Sequence, residues 1–157
     1  MARPRKRKVA AGDVATNRQA SWRYHLLERY EAGLALTGTE VKALRASGAQ
    51  LKDAYAVIRD GQAWLIGLYI APYGPANRAN HDPERDRKLL LHRSEIERLI
   101  GKTHERGLTL IPTRIYFSGP HAKVEIALAR GKDRYDKRES IRRREVQREI
   151  ERELHAG

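Results

Sequence analysis

Cysteine is absent from the 157 residues, which excludes disulfides, thiolate catalysis and cysteine-ligated zinc. No apolar run approaches the roughly 18–20 residues a membrane span needs. The basic N-terminus has no apolar segment behind it, so neither a membrane helix nor a secretory signal is expected, and the expected location is cytoplasmic. The six histidines are dispersed and show no i, i+4 pair or other metal-ligand spacing. Gly33 through Gly38 imitates the glycine spacing of a phosphate loop, but Thr39 stands where the phosphate-contacting lysine belongs, which excludes nucleotide hydrolysis. Asp82, Glu84 and Asp86 alternate with Arg85 and Arg87 on a loop with no glycine-turned cage, so they read as salt-bridged loop charges and not as a cation site. No nucleophile and base lie close enough in sequence to argue a triad. Catalytic residues, metal ligands and cofactors are all expected to be missing, and an RNA-processing enzyme would need a cleft of convergent titratable groups that the sequence does not display.

Positive charge is abundant. The net charge is +12, of which +5 lies in residues 1–18, +5 in 19–130 and +2 in 131–157. An excess carried by the body and the N-terminal arm is the electrostatic footprint of a polyanion binder.

The chain divides into three parts. Residues 1–16, with Arg3-Pro-Arg-Lys-Arg-Lys8 followed by small residues, bury too little apolar area to fold and are expected to form a flexible basic arm. Residues 17–130 carry the core. Trp22, Tyr24 and Leu26 alternate with Arg23 and His25 in a strand period that Leu27 breaks, which predicts a bulge. Gly33 and Gly38 punctuate an apolar link, and a helix over Thr39–Ala46 is expected to be capped by Thr39 and to stop near Gly48, with Val41 and Leu44 facing the core. Asp60-Gly61 is a turn between strands 54–59 and 63–70. Residues 72–87 read as a polar loop too charged to be buried. A short strand, 88–92, precedes a helix capped by Ser94, and a second hairpin, 109–117 with 122–130, turns at Ser118-Gly-Pro120. Several antiparallel strands broken by two short helices predict a mainly β fold, a small closed barrel.

Residues 131–157 cannot help build that core. As a helix they offer Val146, Ile150 and Leu154 in single file, whereas a core-facing stripe is at least ~100° wide. Pairs such as Glu139 with Arg143 favour helix, but Arg144 with Arg148 and Glu149 with Glu153 oppose it. The reading is a C-terminal tail, disordered when free and helical on a partner.

Aromatics interleaved with cations, Trp22, Tyr24 and Tyr55 among Arg23, Arg29, Lys42, Arg45 and Lys52, supply the stacking and phosphate contacts by which barrels hold RNA. Tyr55 and Trp64 are read as core. Lys123 and the Arg87-Lys88 pair are candidates for positioning phosphates. Nothing in these features specifies which RNA, and a ribosomal or ribosome-assembly protein fits them too.

The motifs Tyr30-Glu-Ala-Gly-Leu-Ala-Leu-Thr-Gly-Thr-Glu-Val-Lys-Ala-Leu-Arg45, Lys52-Asp-Ala-Tyr55, Asn80-His-Asp-Pro83, Arg87-Lys-Leu-Leu-Leu-His92, Ala127-Leu-Ala-Arg-Gly-Lys132 and Tyr135-Asp-Lys-Arg138 stand in this order, without a large gap, from about Asn17 onward. Together they resemble the SmpB family, the SsrA-binding proteins. The resemblance implies an OB-like barrel that binds the tRNA-like domain of transfer-messenger RNA and delivers it to stalled ribosomes in trans-translation, as a monomer on the RNA. It implies an RNA-binding set of Asn17, Arg18, Tyr24, Glu31, Arg45, Lys88, Leu90 and Lys123. In the tail it implies that Gly131, Lys132, Tyr135, Asp136, Lys137, Arg138 and Leu154 meet small-subunit rRNA at the decoding centre and the empty messenger channel. Trp22 stands where many members carry histidine, and Glu153 where some have a second apolar residue.

Overall fold

Asp60 and Gly61 both adopt positive φ, 53° and 72°, the left-handed pair that a two-residue hairpin requires. They join β3 (Tyr55–Arg59) to β4 (Gln62–Ile66), with Tyr55 opposite Ile66 and Arg59 opposite Gln62. The second expected hairpin is longer. β6 (Leu108–Ser118) and β7 (His121–Gly131) turn at Gly119-Pro120, with Ser118 opposite His121 and Gly119 at φ 58°. The computed structural model describes residues 12–74, 80–104, 107–132 and 134–156, with side chains to residue 132 and over 141–154.

Strand β2 (Tyr24–Leu34) pairs along most of its length with β7 and at its end with β5 (Arg87–Leu90). The order β6-β3-β4-β5-β2-β7 returns to β6, which pairs with both β3 and β7, so the sheet closes on itself and has the antiparallel barrel character expected. Closure removes the exposed edges that invite aggregation. Inside lie Leu44, Leu65, Leu110, Ile115, Val124 and Ile126, all without solvent contact.

Several boundaries differ from the expected ones. Asp13–Thr16, assigned to the arm, form β1, whose partner is β6. The body therefore starts before Asn17, and the rest of the arm, residues 1–11, lies outside the described residues. Residues 20–23 are a short helix, α1 (Ala20–Arg23), and the strand begins only at Tyr24. The link through Gly33 is the end of that same strand. Its predicted bulge is present: the register with β7 slips between Leu26 and Glu28, leaving Leu27 half exposed.

Both helices are capped two residues earlier than expected, at Thr37 in place of Thr39 and at His92 in place of Ser94. α2 (Gly38–Ser47) has Thr37 as its cap, with the Thr37 N–H donating to Glu40 Oε1 at 2.9 Å. This capping box satisfies amides that a helix start leaves bare, worth about 0.5–2 kcal/mol. Gly48 closes the helix at φ 73°. Leu44 faces the core as expected, together with Ala43, while Val41 is only half-buried. α3 (Arg93–Thr103) is capped by His92, whose N–H donates to Glu95 Oε1 at 3.2 Å. The tail is a helix here, α4 (Arg134–Ala156), and its described apolar residues Ile141, Val146, Ile150 and Leu154 are exposed. Among the described residues it touches the body at α1, where the Arg144 guanidinium sits 4.9 Å from the centre of the Trp22 ring.

The loop judged too charged to be buried sends Arg85 and Arg87 inward. Arg87 and Glu40 are both fully buried, and Arg87 Nε donates to Glu40 Oε2 at 2.5 Å. The other Glu40 oxygen accepts from Arg85, and Arg87 also donates to the carbonyls of Leu68 and Pro83. Arg87 is thereby a structural clamp with no reach to a phosphate, against the sequence expectation. The pairing ties loop to helix, and loop residues 75–79 lie outside the described residues.

Candidate nucleic-acid interface

A second irregularity in the sheet places the first group of candidate residues. β6 slips its register with β7 between Pro112 and Arg114, where a proline without an N–H fits because a bulge interrupts the ladder. Asn17 fastens onto this bulge. Its backbone N–H donates to Thr113 O at 2.7 Å and its side-chain amide to Pro112 O at 3.1 Å. The chain then turns into α1, and Asn17, Arg23, Tyr24, Lys52, Asp53 and Tyr55 line a concavity of about 350 Å³. Tyr55, read as core, is 43% exposed at its rim. Two phenol rings and two cations around a groove are the ingredients for holding a nucleotide by stacking and phosphate contact. Arg18 is exposed beside it, lining a neighbouring depression with Asn17 and Lys52.

The second group lies on the outer face of the barrel. Gly33 on β2 stands opposite both Leu90 on β5 and Lys123 on β7, and Lys123 stands opposite Tyr116 on β6. Four strands thus contribute one residue each to a continuous row. Leu90 is 55% exposed and leans over Gly33, where an added Cβ would come within 3.1 Å of the leucine Cβ. Lys88 lies on the same outer face, opposite Trp64. Trp64, also read as core, alternates with the buried Ala63 and Leu65 and carries the Arg59 guanidinium 5.3 Å from its ring centre.

The adjoining row is acidic and tightly paired. Glu31 stands directly opposite Glu125, an arrangement of like charges that weakens a sheet unless compensated. Glu125 receives Arg114 at 2.9 Å, Thr113 at 2.9 Å and Arg29 at 3.4 Å. Burial alone would raise its carboxyl, but the hydrogen bonds from Arg114 and Thr113 outweigh it and hold the group below the usual range. Arg114 also reaches Asp13 at 3.0 Å, tying β1 into the set. Glu31 accepts only from the Tyr116 hydroxyl among the described residues. Burial and that bond push the Tyr116 phenol up to about 12, so it stays a donor at neutral pH. A depression lined by Asn17, Arg29, Arg114 and Glu125 joins the Tyr24 concavity to this face.

Asn17, Arg18, Tyr24, Glu31, Lys88, Leu90 and Lys123 are therefore distributed along one connected stretch of surface. Arg45 is apart, on α2, with its guanidinium 3.9 Å from the centre of the Phe117 ring. Lys42 lies near Tyr73 in the same manner, at 5.8 Å. Tyr116 was missed in the sequence. Its signal was present, an aromatic one strand-step from Arg114 and opposite Lys123, but it depends on the cross-strand register.

The tail departs from this surface. Gly131, the last residue of β7, stands opposite Tyr24, and the Lys132 N–H donates to Arg23 O at 2.9 Å. The exit of α4 is thus fixed beside the tyrosine of the concavity. Leu154 is 75% exposed near its far end. The side chains of Tyr135, Asp136, Lys137 and Arg138 lie outside the described residues. No described helix is long and apolar enough to cross a membrane.

Residues 14–156 match the family model described as "SmpB protein". An SsrA-binding protein of Carboxydothermus hydrogenoformans is 53% identical over 143 residues, covering 91% of this chain and 96% of its own length. Another, from Desulforudis audaxviator, is 58% identical over 139 residues, 88% of this chain and 91% of the relative. Among solved structures, a chain described under "tmRNA-SmpB: a journey to the center of the bacterial ribosome" is 50% identical and superposes with a TM-score of 0.66, covering 82% of this chain and 94% of that one.

Proposed function

The chain belongs to the SmpB family, and from that membership we propose that it is an RNA-binding adaptor of ribosome rescue. It binds transfer-messenger RNA and brings it to stalled ribosomes for trans-translation. The tRNA-like domain of the RNA lies along the surface from the Tyr24 concavity to Leu90. The work is recognition without bond-making chemistry, carried out in the cytoplasm.

The observation that carries the RNA-face reading is the pair of adjoining rows that bring Leu90, Lys123 and Glu31 together across neighbouring strands. It offers an apolar surface for a sugar or base, a cation for a phosphate and an acceptor for a base edge or 2′-hydroxyl, the mixture RNA recognition uses. Tyr24 stacks, and Asn17 and Arg18 flank it. The tail is a second binding element. Gly131 and Lys132 set its departure, Tyr135, Asp136, Lys137 and Arg138 meet small-subunit rRNA at the decoding centre, and the rest of α4, with Leu154, occupies the vacant messenger channel. Off the ribosome the tail lacks a lasting helix, a reading supported by its exposed apolar residues and slight contact with α1. Two separate sites on one chain raise avidity well beyond either alone.

A competition gel shift tests the assignment: intact protein with transfer-messenger RNA against excess bulk tRNA, at stated salt. Retention of the complex is the expected result. Ready displacement would mean electrostatic attraction only, which discriminates poorly and falls steeply with salt.

A further inference from the structure

We infer that Tyr116 is a positioning residue for RNA recognition: its hydroxyl, bonded to Glu31 Oε2, holds the carboxylate so that the remaining oxygen receives a donor from the RNA, a ribose 2′-hydroxyl or a base amine. The inference rests on the reading of Glu31, Leu90 and Lys123 as RNA contacts.

The compensation of the two facing carboxylates is uneven. Glu125 is neutralised by two arginines, whereas Glu31 receives a neutral hydroxyl. The hydroxyl satisfies one lone pair and leaves the charge and the other acceptor sites in place. An exposed carboxylate of this kind, on a chain of net charge +12, repels phosphate and accepts only from donors. Phosphate contacts position an RNA and contacts to bases or sugars specify it, so Glu31 acts as a specificity element and Tyr116 sets its geometry. The phenol is itself fixed: the Arg114 guanidinium lies 4.5 Å from its ring centre, and the strand register puts it opposite Lys123. One ring thus links the acceptor, through its hydroxyl, to the strand position of the phosphate-binding cation.

The test is Tyr116→Phe, which keeps the ring and its Arg114 contact. Affinity for the tRNA-like domain is expected to fall about two- to tenfold, the scale of one net hydrogen bond, with bulk tRNA binding and melting unchanged. In a Glu31→Ala background the same change should cost nothing further. Additive losses, a loss tracked by lowered melting, or undiminished discrimination against bulk tRNA would each overturn the inference. Leu90→Ala and Lys123→Ala run alongside: if neither weakens binding, the RNA face itself is misassigned, whereas losses there with an unchanged Tyr116→Phe remove the tyrosine alone.

Discussion

Arg87 and Glu40 meet at 2.5 Å with neither side chain reaching solvent, 47 residues apart in sequence. Removing one partner of such a pair strands a buried charge. Glu40→Gln should therefore cost about 3–5 kcal/mol of stability, read as a lowered denaturation midpoint. Arg85→Ala, which removes the half-exposed member, should cost much less.

The same carboxylate makes stability depend on acid. Burial alone would raise Glu40 from its ordinary 4.5, but the hydrogen bonds from Arg85, Thr37 and Arg87 hold it lower. A depressed carboxyl contributes fully above its unfolded value and loses that contribution as pH falls through its folded one. Stability should thus decline below about pH 4.5, with Glu125 acting in the same sense. Denaturant titrations at successive pH values should show a shallower acid decline in Glu40→Gln.

Gly33→Ala probes the outer row without touching charge. The backbone there has no positive φ, and the new methyl would stand 3.1 Å from Leu90 Cβ, so the leucine must shift. Affinity for the tRNA-like domain is expected to drop while stability changes by less than about 1 kcal/mol. Unchanged affinity in a gel shift would remove Leu90 from the contact surface.

Truncation after Lys132 preserves the last rung of β7 and the bond to Arg23 O. Such a protein should bind transfer-messenger RNA nearly as well as the full chain and fail to support peptide tagging. Lys137→Ala with Arg138→Ala should also impair tagging, with melting unchanged. Normal tagging by either variant would refute the tail assignment.

Trp22→Ala removes the ring beneath Arg144. Amide exchange over residues 141–154, already fast in a tail without a lasting helix off the ribosome, should lose whatever slowing the ring contact confers, because isolated helices of its kind are marginal in water. Slow exchange that persists in the variant would show the tail helix to be self-sustaining.

Features written in adjacent residues were legible in the sequence. Asp60-Gly61 and Gly119-Pro120 are turn chemistry, and the loss of alternation at Leu27 announced its bulge. The capping box of Thr37 and Glu40 was equally local, but Thr39 drew the assignment because it lies nearer the apolar residues. Four short residues, Asp13–Thr16, reveal a strand only when β6 is there to pair with them. Arg87 was illegible for a stronger reason: a cation in a polar loop reads as solvated, and only a carboxylate donated by α2 makes its burial tolerable. In the candidate site the sequence supplied Glu31, Leu90 and Lys123 individually, through the family likeness. Their neighbourhood, and Tyr116 with it, came from strand register.

One rung, Ala56 opposite Leu110, is all the backbone pairing between β3 and β6. Only two rungs join β2 to β5, so the ring has two thin seams and this is the thinner, and local opening costs least where few backbone bonds resist it. Tyr55 and Thr109 flank this rung and also line the Tyr24 hollow, so the seam of the cylinder that the fewest backbone bonds close is also a wall of that hollow.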